Sequence, residues 1–444
     1  MSFKGYIGAA VLVVALAAFG AVAAAQTLSP QERARLQAEY DQLQEEIAKW
    51  QKVLDDTRAK KNTIQGDVTA LDAQIKKAQA EINQRNNTIT KLSSEIRQKS
   101  QRISTLEERL NRGKESLAKL LREKNQSDQQ SLAVLALSSQ NLSDFYATID
   151  AIDVIDRELQ NLFDELRGVK QQTEEEKKAL AERQDREFDA RYEVETKKKQ
   201  IATDQAQKKE LLAVTAGQER SYQQVLSERQ RRAEEIRSAL FELRDAQGIS
   251  FETALAYAEA AEQKTGVRAA FILGILRQES NLGKNVGQCL LVDASTGAGK
   301  GKNTGTPFSR VMHPTRDVPV FIPMMEKVGR DPYNTPVSCP QSIGYGGAMG
   351  PSQFIPSTWK GLESRIGASV GGAPDPWNPR HAITATALFL MDLGAGRATP
   401  SAEREAAGRY YAGGNWATLG LGYANSVLAF ATEYQANIDF LNDL

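Results

Sequence analysis

The chain has 444 residues, which is enough for two or three domains, and 41% of them are hydrophobic. Its 56 basic residues balance its 56 acidic ones, so the formal net charge is zero and argues against a nucleic-acid partner. The histidines, His313 and His381, have no metal-ligand spacing. We therefore predict no metal and no cofactor.

Near the N-terminus an apolar run extends from Ile7 to Ala25. Lys4 precedes this run, and three alanines end it. A basic start, an apolar stretch and a small-residue end are typical of a secretory signal peptide, which we predict for residues 1–25. A retained membrane anchor is the alternative, because the run approaches the length of a spanning helix. In both cases the rest of the chain is predicted to work outside the cytoplasm.

From Pro30 to about Asp128 the apolar residues recur with an unbroken seven-residue period, which predicts a coiled coil. A second array runs from Phe145 to about Gln247. Because the two arrays have nearly equal lengths, we predict that residues 26–248 form an antiparallel hairpin with its tip near 129–146. A parallel dimer of whole chains is the alternative, since Ile and Leu are segregated between the two core positions.

After Gly248 the charge thins, and Gly, Pro and aromatic residues become more frequent. No alternating strand pattern is evident, so residues 249–444 are predicted to be mostly helical and the whole chain all-α. The helix signals are caps, first-turn prolines and terminal glycines. The predicted helices are Ser250–Thr265, one ending at Glu279, Val320–Val328, one from Asn378-Pro379 to Gly394, Ala402–Tyr411 and Leu421–Phe440.

The helix that ends at Glu279 has an apolar face that runs directly into this carboxylate, and Gly283 follows as a residue that can end it. Partial burial raises the pKa of a carboxyl group, as a general acid working near neutrality requires. The alternative is a surface glutamate at a helix end. The residues further along the chain favour the catalytic interpretation.

Three later stretches combine glycines, amides and aromatic side chains: Gly344–Trp359, Arg409–Trp416 and Tyr423–Val427. Glycines allow close backbone approach, and the other residues offer hydrogen bonds and flat apolar faces. Sugars require this combination, with polar groups for the hydroxyls and aromatic faces for the ring C–H groups. Taken singly, each aromatic residue could equally be part of the core.

Together and in this order, the motifs resemble those of lytic transglycosylases of the lysozyme-like superfamily, with a second motif closest to the membrane-bound-B-type branch. Glu279-Ser280 matches the first motif, and Gly-Ala-Met-Gly-Pro-Ser-Gln-Phe-Ile-Pro-Ser matches the second. Arg409–Gly413 corresponds to Ala-Tyr-Asn-Ala-Gly, with Tyr411 in place of Asn. The resemblance implies that Glu279 is catalytic. It also implies a set of substrate-binding residues: Ser280, Tyr345, Met349, Gln353, Tyr410 and Tyr423.

The resemblance implies cleavage of peptidoglycan glycan strands between N-acetylmuramic acid and N-acetylglucosamine, with formation of a 1,6-anhydro ring and no consumption of water. A goose-type lysozyme is one alternative and would need a second carboxylate to activate water. A coiled-coil protein whose terminal domain only binds glycan is the other. The candidate second carboxylates, chosen by position only, are Asp293, Asp317, Glu326 and Asp331.

The coiled coil is similar to those of division-associated peptidoglycan hydrolases and their activators, in which the tip binds an ABC-transporter-like division complex in the membrane. The Leu-rich break from Ser131 to Tyr146 carries this likeness and implies such a partner, with a location in the periplasm or cell-wall space. A hydrophobic plug that closes the hairpin is the alternative role for the break. The only cysteines, Cys289 and Cys339, are predicted to form a disulfide, with two buried free thiols as the alternative.

Overall fold

A computed structural model gives the architecture of the protein, and it describes residues 64–128, 142–214 and 249–442, with isolated positions between 36 and 48 and at 231. The predicted signal peptide or anchor lies outside the described residues, as do most of the hairpin tip and residues 215–248, apart from 231. Those predictions stay predictions. In the part of the chain that is described, no helix combines the length and the apolar character needed to cross a membrane.

Two long helices form the first half of the described chain: α1 (Ile64–Asp128) and α2 (Leu142–Val214). Their buried Leu, Ile and Val side chains occupy the predicted heptad positions, so the periodicity did identify the faces that pack. In α1 these are Val68, Leu71, Ile82, Leu92, Ile103 and Leu106, and in α2 they are Leu159, Val169, Val194, Ile201 and Leu211.

The two helices are shared between two compact units, one containing Thr90–Arg183 and the other containing Ala38–Ile89 with Gln184–Leu444. The helices run antiparallel in each unit. In the first, ion pairs join Lys124 to Asp156 at 2.6 Å, Arg109 to Glu165 at 2.6 Å and Arg183 to Glu95 at 2.8 Å. In the second, they join Arg85 to Glu193, Lys197 to Glu81 and Lys208 to Asp72. Two long antiparallel helices within one chain are therefore confirmed, and the parallel alternative is wrong for this structure.

The helical domain of the second unit begins where the capping signals predict. Helix α3 (Phe251–Thr265) starts after Ser250, whose hydroxyl accepts a hydrogen bond from the amide of Thr253 at 3.3 Å. It ends at Gly266, whose φ of 71° lies in the left-handed region that favours glycine. Helix α4 (Ala269–Ser280) follows and ends at Asn281, two residues before the glycine that we expected to end it.

A small antiparallel sheet lies between α4 and the second motif, in a segment whose sequence shows no alternating strand pattern. Its strands are β1 (Cys289–Asp293), β2 (Ala298–Gly301) and β3 (Pro307–Phe308), in the order β1-β2-β3. The strands are short and β2 has two glycines, so neither alternation nor strand propensity reveals them. The prediction of a mostly helical domain and of an all-α fold is confirmed, and the three short strands are an addition to it.

The remaining helices are mostly those predicted. They are α5 (Val318–Lys327), α6 (Pro356–Val370), α7 (Pro379–Asp392), α8 (Pro400–Ala412) and α9 (Leu421–Asn442). Helix α6 was missed, although Pro356 in its first turn is a recognised start signal. Between α8 and α9 the chain forms a 3₁₀ turn, Gly413–Asn415, and then a wider π-helical turn, Trp416–Gly420.

Helix α4 is the centre of the helical domain and packs against α3 and α9. Its side chains Phe271, Ile272, Leu273, Ile275 and Leu276 are all fully buried. A methyl group added at Gly274 would lie 2.9 Å from the carbonyl oxygen of Val427, so this glycine allows α4 and α9 to cross closely. That crossing brings the end of α4 beside the start of α9.

Candidate active site

Glu279 lies on the last turn of α4, in the half-buried position that the sequence predicts. Burial raises the pKa of its carboxyl to about 7, and a hydrogen bond from the Tyr423 hydroxyl opposes this effect. At neutral pH a substantial fraction of Glu279 is therefore protonated. A carboxyl group in this state can both give and accept a proton.

Two tyrosines from different helices surround this carboxyl. Tyr423, in the first turn of α9, donates a hydrogen bond to Oε1 of Glu279. Burial raises the pKa of both Tyr423 and Tyr410 well above the usual value for tyrosine, and the negative charge of Glu279 adds to the effect. Both phenols therefore stay protonated and can act only as hydrogen-bond donors or weak acceptors near neutral pH.

The second motif is held in place by hydrogen bonds from the first and third motifs. The hydroxyl of Ser280 donates to the carbonyl of Pro351 at 2.7 Å, and the hydroxyl of Tyr410 donates to the carbonyl of Ser352 at 2.6 Å. Ser352 in turn donates from its hydroxyl to the carbonyl of Ala382 at 2.9 Å. The four sequence motifs therefore meet at one place around Glu279.

Four of the predicted substrate-binding residues differ in how far their side chains are exposed. Ser280 is 1% exposed and Met349 is 1% exposed, and the contacts of both are internal. Gln353 is half-buried, has a φ of 51° and donates from its side chain to the carbonyl of Gly350 at 2.7 Å. Tyr345 is 41% exposed and packs against His313, with 4.7 Å between ring centroids. Substrate contact by these four residues remains a prediction.

Three of the four carboxylates considered for a goose-type reaction are engaged in local structure, and the fourth, Glu326, is exposed. Hydrogen bonds from Ser295 and Thr296 lower the pKa of Asp293 to about 2, as in a tight turn. Asp317 is fully buried and pairs with Arg316 at 2.7 Å.

The other two carboxylates lie at the surface. Asp331 accepts from the amide of Tyr333 at 2.9 Å, and Glu326 is exposed on α5. Only burial and Tyr423 contribute to the pKa shift of Glu279 among the described residues.

The predicted disulfide between Cys289 and Cys339 is present and is confirmed. It connects β1 to the segment just before the second motif. The backbones of Cys289 and Val337 exchange two hydrogen bonds of 2.9 Å beside it. The disulfide and these hydrogen bonds therefore hold the end of the insert between the first two motifs, just before the second motif, against β1.

Sequence reasoning missed two features of the site. Tyr411 stacks on Tyr423, with ring centroids 5.1 Å apart and an angle of 13° between the planes. Helix α2 also packs on the helical domain, where Asp189 accepts from the amide of Ser401 at 2.6 Å. The sequence shows Tyr411 within the third motif but not its stacking on Tyr423, and the contact with α2 had no local signal.

A match to a protein-family model agrees with the site. The family model of the transglycosylase SLT domain matches residues 187–407, which include Glu279 and Gln353 and end before Tyr410. No curated protein matches the chain. Two solved structures match it at 16% identity and a TM-score of 0.29: a 36 kDa muramidase/transglycosylase, and the Escherichia coli lytic transglycosylase Slt35 in complex with calcium. Each alignment covers 46% of this chain, and it covers 79% of the first structure and 78% of the second.

The domain match and the converging motifs define the class of protein as an enzyme with a transglycosylase SLT domain. The protein is a peptidoglycan lytic transglycosylase. Peptidoglycan is its substrate, and the enzyme therefore acts outside the cytoplasm. The match begins at residue 187, within α2, so it starts earlier than the catalytic domain that we predicted from residue 249.

Proposed function

We propose that Glu279 is the single acid–base residue of the enzyme and that the product ends in 1,6-anhydromuramic acid. The observation that carries this proposal is the half-buried Glu279 carboxyl, whose pKa is raised to about 7 and which is bonded to Tyr423. A group with this pKa is suited to donate a proton in one step and to accept one in the next.

In the first step, neutral Glu279 gives its proton to the oxygen between N-acetylmuramic acid and N-acetylglucosamine, and the bond from the muramic C1 to that oxygen breaks. The substrate's own N-acetyl carbonyl stabilises the cationic C1, as in substrate-assisted glycosidases. In the second step, the C6 hydroxyl attacks C1 and its proton passes to Glu279. The carboxyl is regenerated, and the ring closes without water.

Tyr423 has a defined part in this cycle. Its hydrogen bond to Oε1 lowers the pKa of Glu279 and so stabilises the carboxylate that forms after the first step. Tyr410 fixes the backbone of Ser352 in the second motif. In this proposal Tyr423 contacts the reacting carboxyl, and Tyr410 positions the turn that follows Gly350.

A goose-type lysozyme would use a second carboxylate close to the bond. The local hydrogen bonds and ion pairs of Asp293, Asp317 and Asp331 support the single-carboxylate proposal, because these groups are engaged elsewhere. The exposed Glu326 is the fourth candidate. A protein that only binds glycan has no need of a carboxyl with a raised pKa.

Mass spectrometry of the products from purified peptidoglycan tests the proposal. Anhydromuramic products are lighter by one water than the reducing products of a lysozyme. Products with reducing ends would contradict the single-carboxylate mechanism. Loss of turnover in Glu279→Gln with normal turnover in Glu326→Gln would identify the residue that acts.

We also propose that the two long helices restrain the catalytic domain until a partner binds at the predicted tip. The support lies in contacts of α2 within the second unit. The hydroxyl of Tyr192 bonds to Thr432 and, at 3.4 Å, to the carbonyl of Leu428, both on α9. Asp189 accepts hydrogen bonds from Ser401 at the start of α8.

These contacts join α2 to the two helices that carry the site tyrosines. Ser401 and Tyr410 lie at opposite ends of α8, roughly 14 Å apart at 1.5 Å per residue. Any restraint by α2 would therefore act through α8 and α9 and not by covering Glu279. The partner that releases it, an ABC-transporter-like division complex, is proposed from the sequence resemblance alone.

The test compares the full chain with the same chain carrying Tyr192→Ala and Asp189→Asn. Faster digestion of peptidoglycan by the double variant would support the restraint. Equal rates would contradict it and leave only a tethering role. Arg191→Ala is a matched control, because Arg191 is exposed on α2 and pairs within that helix with Glu187 at 2.7 Å.

A further inference from the structure

Tyr411 has the properties of a residue that contacts the substrate. Its side chain is 63% exposed on the last turn of α8. One face of its ring lies nearly parallel to the ring of Tyr423, at 5.1 Å between centroids and 13° between planes. Tyr423 in turn donates its hydroxyl hydrogen to Glu279. The ring of Tyr411 therefore has a fixed orientation next to the group that acts on the bond.

The backbone around this ring leaves space for a ligand. Gly413, Gly414 and Gly422 are exposed, and a methyl group added at any of them would meet no atom within 4 Å. Gly413 has φ 56° and ψ −129°, a conformation that favours glycine, so the chain can turn away directly after Tyr411. The neighbouring aromatic residue, Trp416, packs against Gly408 and is only partly exposed.

An exposed tyrosine at a helix end is most often only a surface residue. Tyr411 differs because an aromatic pair of this kind orients its ring, and a tyrosine ring combines a flat apolar face with a polar tip. A pyranose ring offers C–H groups on its faces and hydroxyls at its edge, and it matches both parts. The asparagine of the resembled motif could form hydrogen bonds but could not offer such a face.

We propose that the open face of Tyr411 stacks on a sugar ring of the glycan strand beside the bond that is cleaved. This inference rests on the proposed role of Glu279, since it places the sugar relative to that carboxyl. Tyr411 would then determine how tightly the strand is held, and Tyr423 would act on the proton transfer.

Binding to a chain that cannot turn over separates the two proposals. In the Glu279→Gln background, calorimetry with a soluble glycan of alternating N-acetylglucosamine and N-acetylmuramic acid should show weaker binding for Tyr411→Ala. We expect the Kd to rise about 5- to 10-fold, the range of one aromatic contact. Tyr411→Phe should stay within about twofold of the parent, and Tyr411→Asn should behave like the alanine variant.

Tyr333→Ala is the matched control, because Tyr333 is 44% exposed in a turn and has no contact with Tyr423. In the active enzyme, Tyr411→Ala should raise KM and leave the basic limb of the pH–rate profile in place. An unchanged Kd would overturn the inference. A shifted basic limb with an unchanged Kd would do so as well, since Tyr411 would then only position Tyr423. Turnover by Glu279→Gln itself would overturn the proposed function instead.

Discussion

The hydroxyl of Tyr423 donates a hydrogen bond to Oε1 of Glu279, across the crossing of α9 and α4. The two residues are 144 positions apart in the chain. The bond favours the ionised carboxyl, whereas burial favours the neutral one, and burial has the larger effect. The pKa of about 7 is the balance of these two causes.

Tyr423→Phe should raise the pKa of Glu279 further, because it removes the hydrogen bond that lowers it. The basic limb of kcat/KM, where the acid loses its proton, should then move to higher pH. We expect turnover near neutral pH to fall by about 10-fold, as the carboxylate formed in the first step loses a partner. Tyr333→Phe should leave the profile unchanged. A basic limb that stays in place would mean that another group sets it.

Glu279→Gln should make the protein more stable at pH 8 and not at pH 4. The folded pKa of about 7 lies above 4.5, the ordinary pKa of a glutamate side chain, so the folded state binds the proton more tightly than the unfolded state. Stability from this group is complete below pH 4.5 and is lost as the pH rises through 7. The variant should therefore gain about 3 kcal/mol at pH 8.

Denaturant unfolding at both pH values measures this difference, with Glu326→Gln on the exposed face of α5 as control. Turnover of Glu279→Gln should fall by about 10² to 10⁴-fold, since one residue supplies both proton transfers. A variant without extra stability at pH 8 would show that the carboxyl is better solvated than its burial indicates.

The features that sequence predicted are those with local causes. The Ser250 and Asn378 caps, the heptad positions and the approach of an apolar helix face to Glu279 all depend on residues within a few turns. The disulfide could also be predicted, because Cys289 and Cys339 are the only cysteines and have no other choice of partner.

The features that sequence did not predict depend on distant contacts. The strands β1 and β2 are recognisable only by their pairing, such as Cys289 opposite Gly301. The stack of Tyr411 on Tyr423 depends on the close approach of α8 to the turn just before α9, where a methyl group on Gly420 would lie 2.6 Å from the carbonyl oxygen of Gly408. Neither the hydrophobic periodicity of the sequence nor the secondary-structure propensity of its residues predicts such a contact.

Reduction of the disulfide should loosen the insert between the first two motifs. Thiol titration of the unreduced, denatured protein should find no free cysteine, and after reduction it should find two. The bond closes a loop with a sequence separation of 50 residues, so its loss should destabilise the protein by about 4 kcal/mol at most. The melting temperature with and without reductant measures this loss. Two thiols in the unreduced protein would contradict the assignment.

Gly274→Ala should lower both the stability and the turnover of the enzyme, because Gly274 lies at the crossing of α4 and α9. The added methyl group would lie 2.9 Å from the carbonyl oxygen of Val427 and 3.2 Å from the amide of Ala431, both backbone atoms that cannot rotate away. Helix α9 would have to move off α4, and Tyr423 would move with it. We expect a loss of about 1–3 kcal/mol of stability. Because the bond to Glu279 requires the same crossing, turnover should fall even at temperatures where the variant is folded.

Gly361→Ala is the matched control for this variant. Gly361 lies inside α6, and a methyl group there would meet no atom within 4 Å. Alanine is a better helix former than glycine, so this variant should gain about 0.5–1 kcal/mol and keep its activity. Thermal unfolding and peptidoglycan digestion on the pair separate the effect of the helix crossing from that of removing a glycine. If Gly274→Ala retained both stability and turnover, the close approach of α4 and α9 would not be what holds Tyr423 on Glu279.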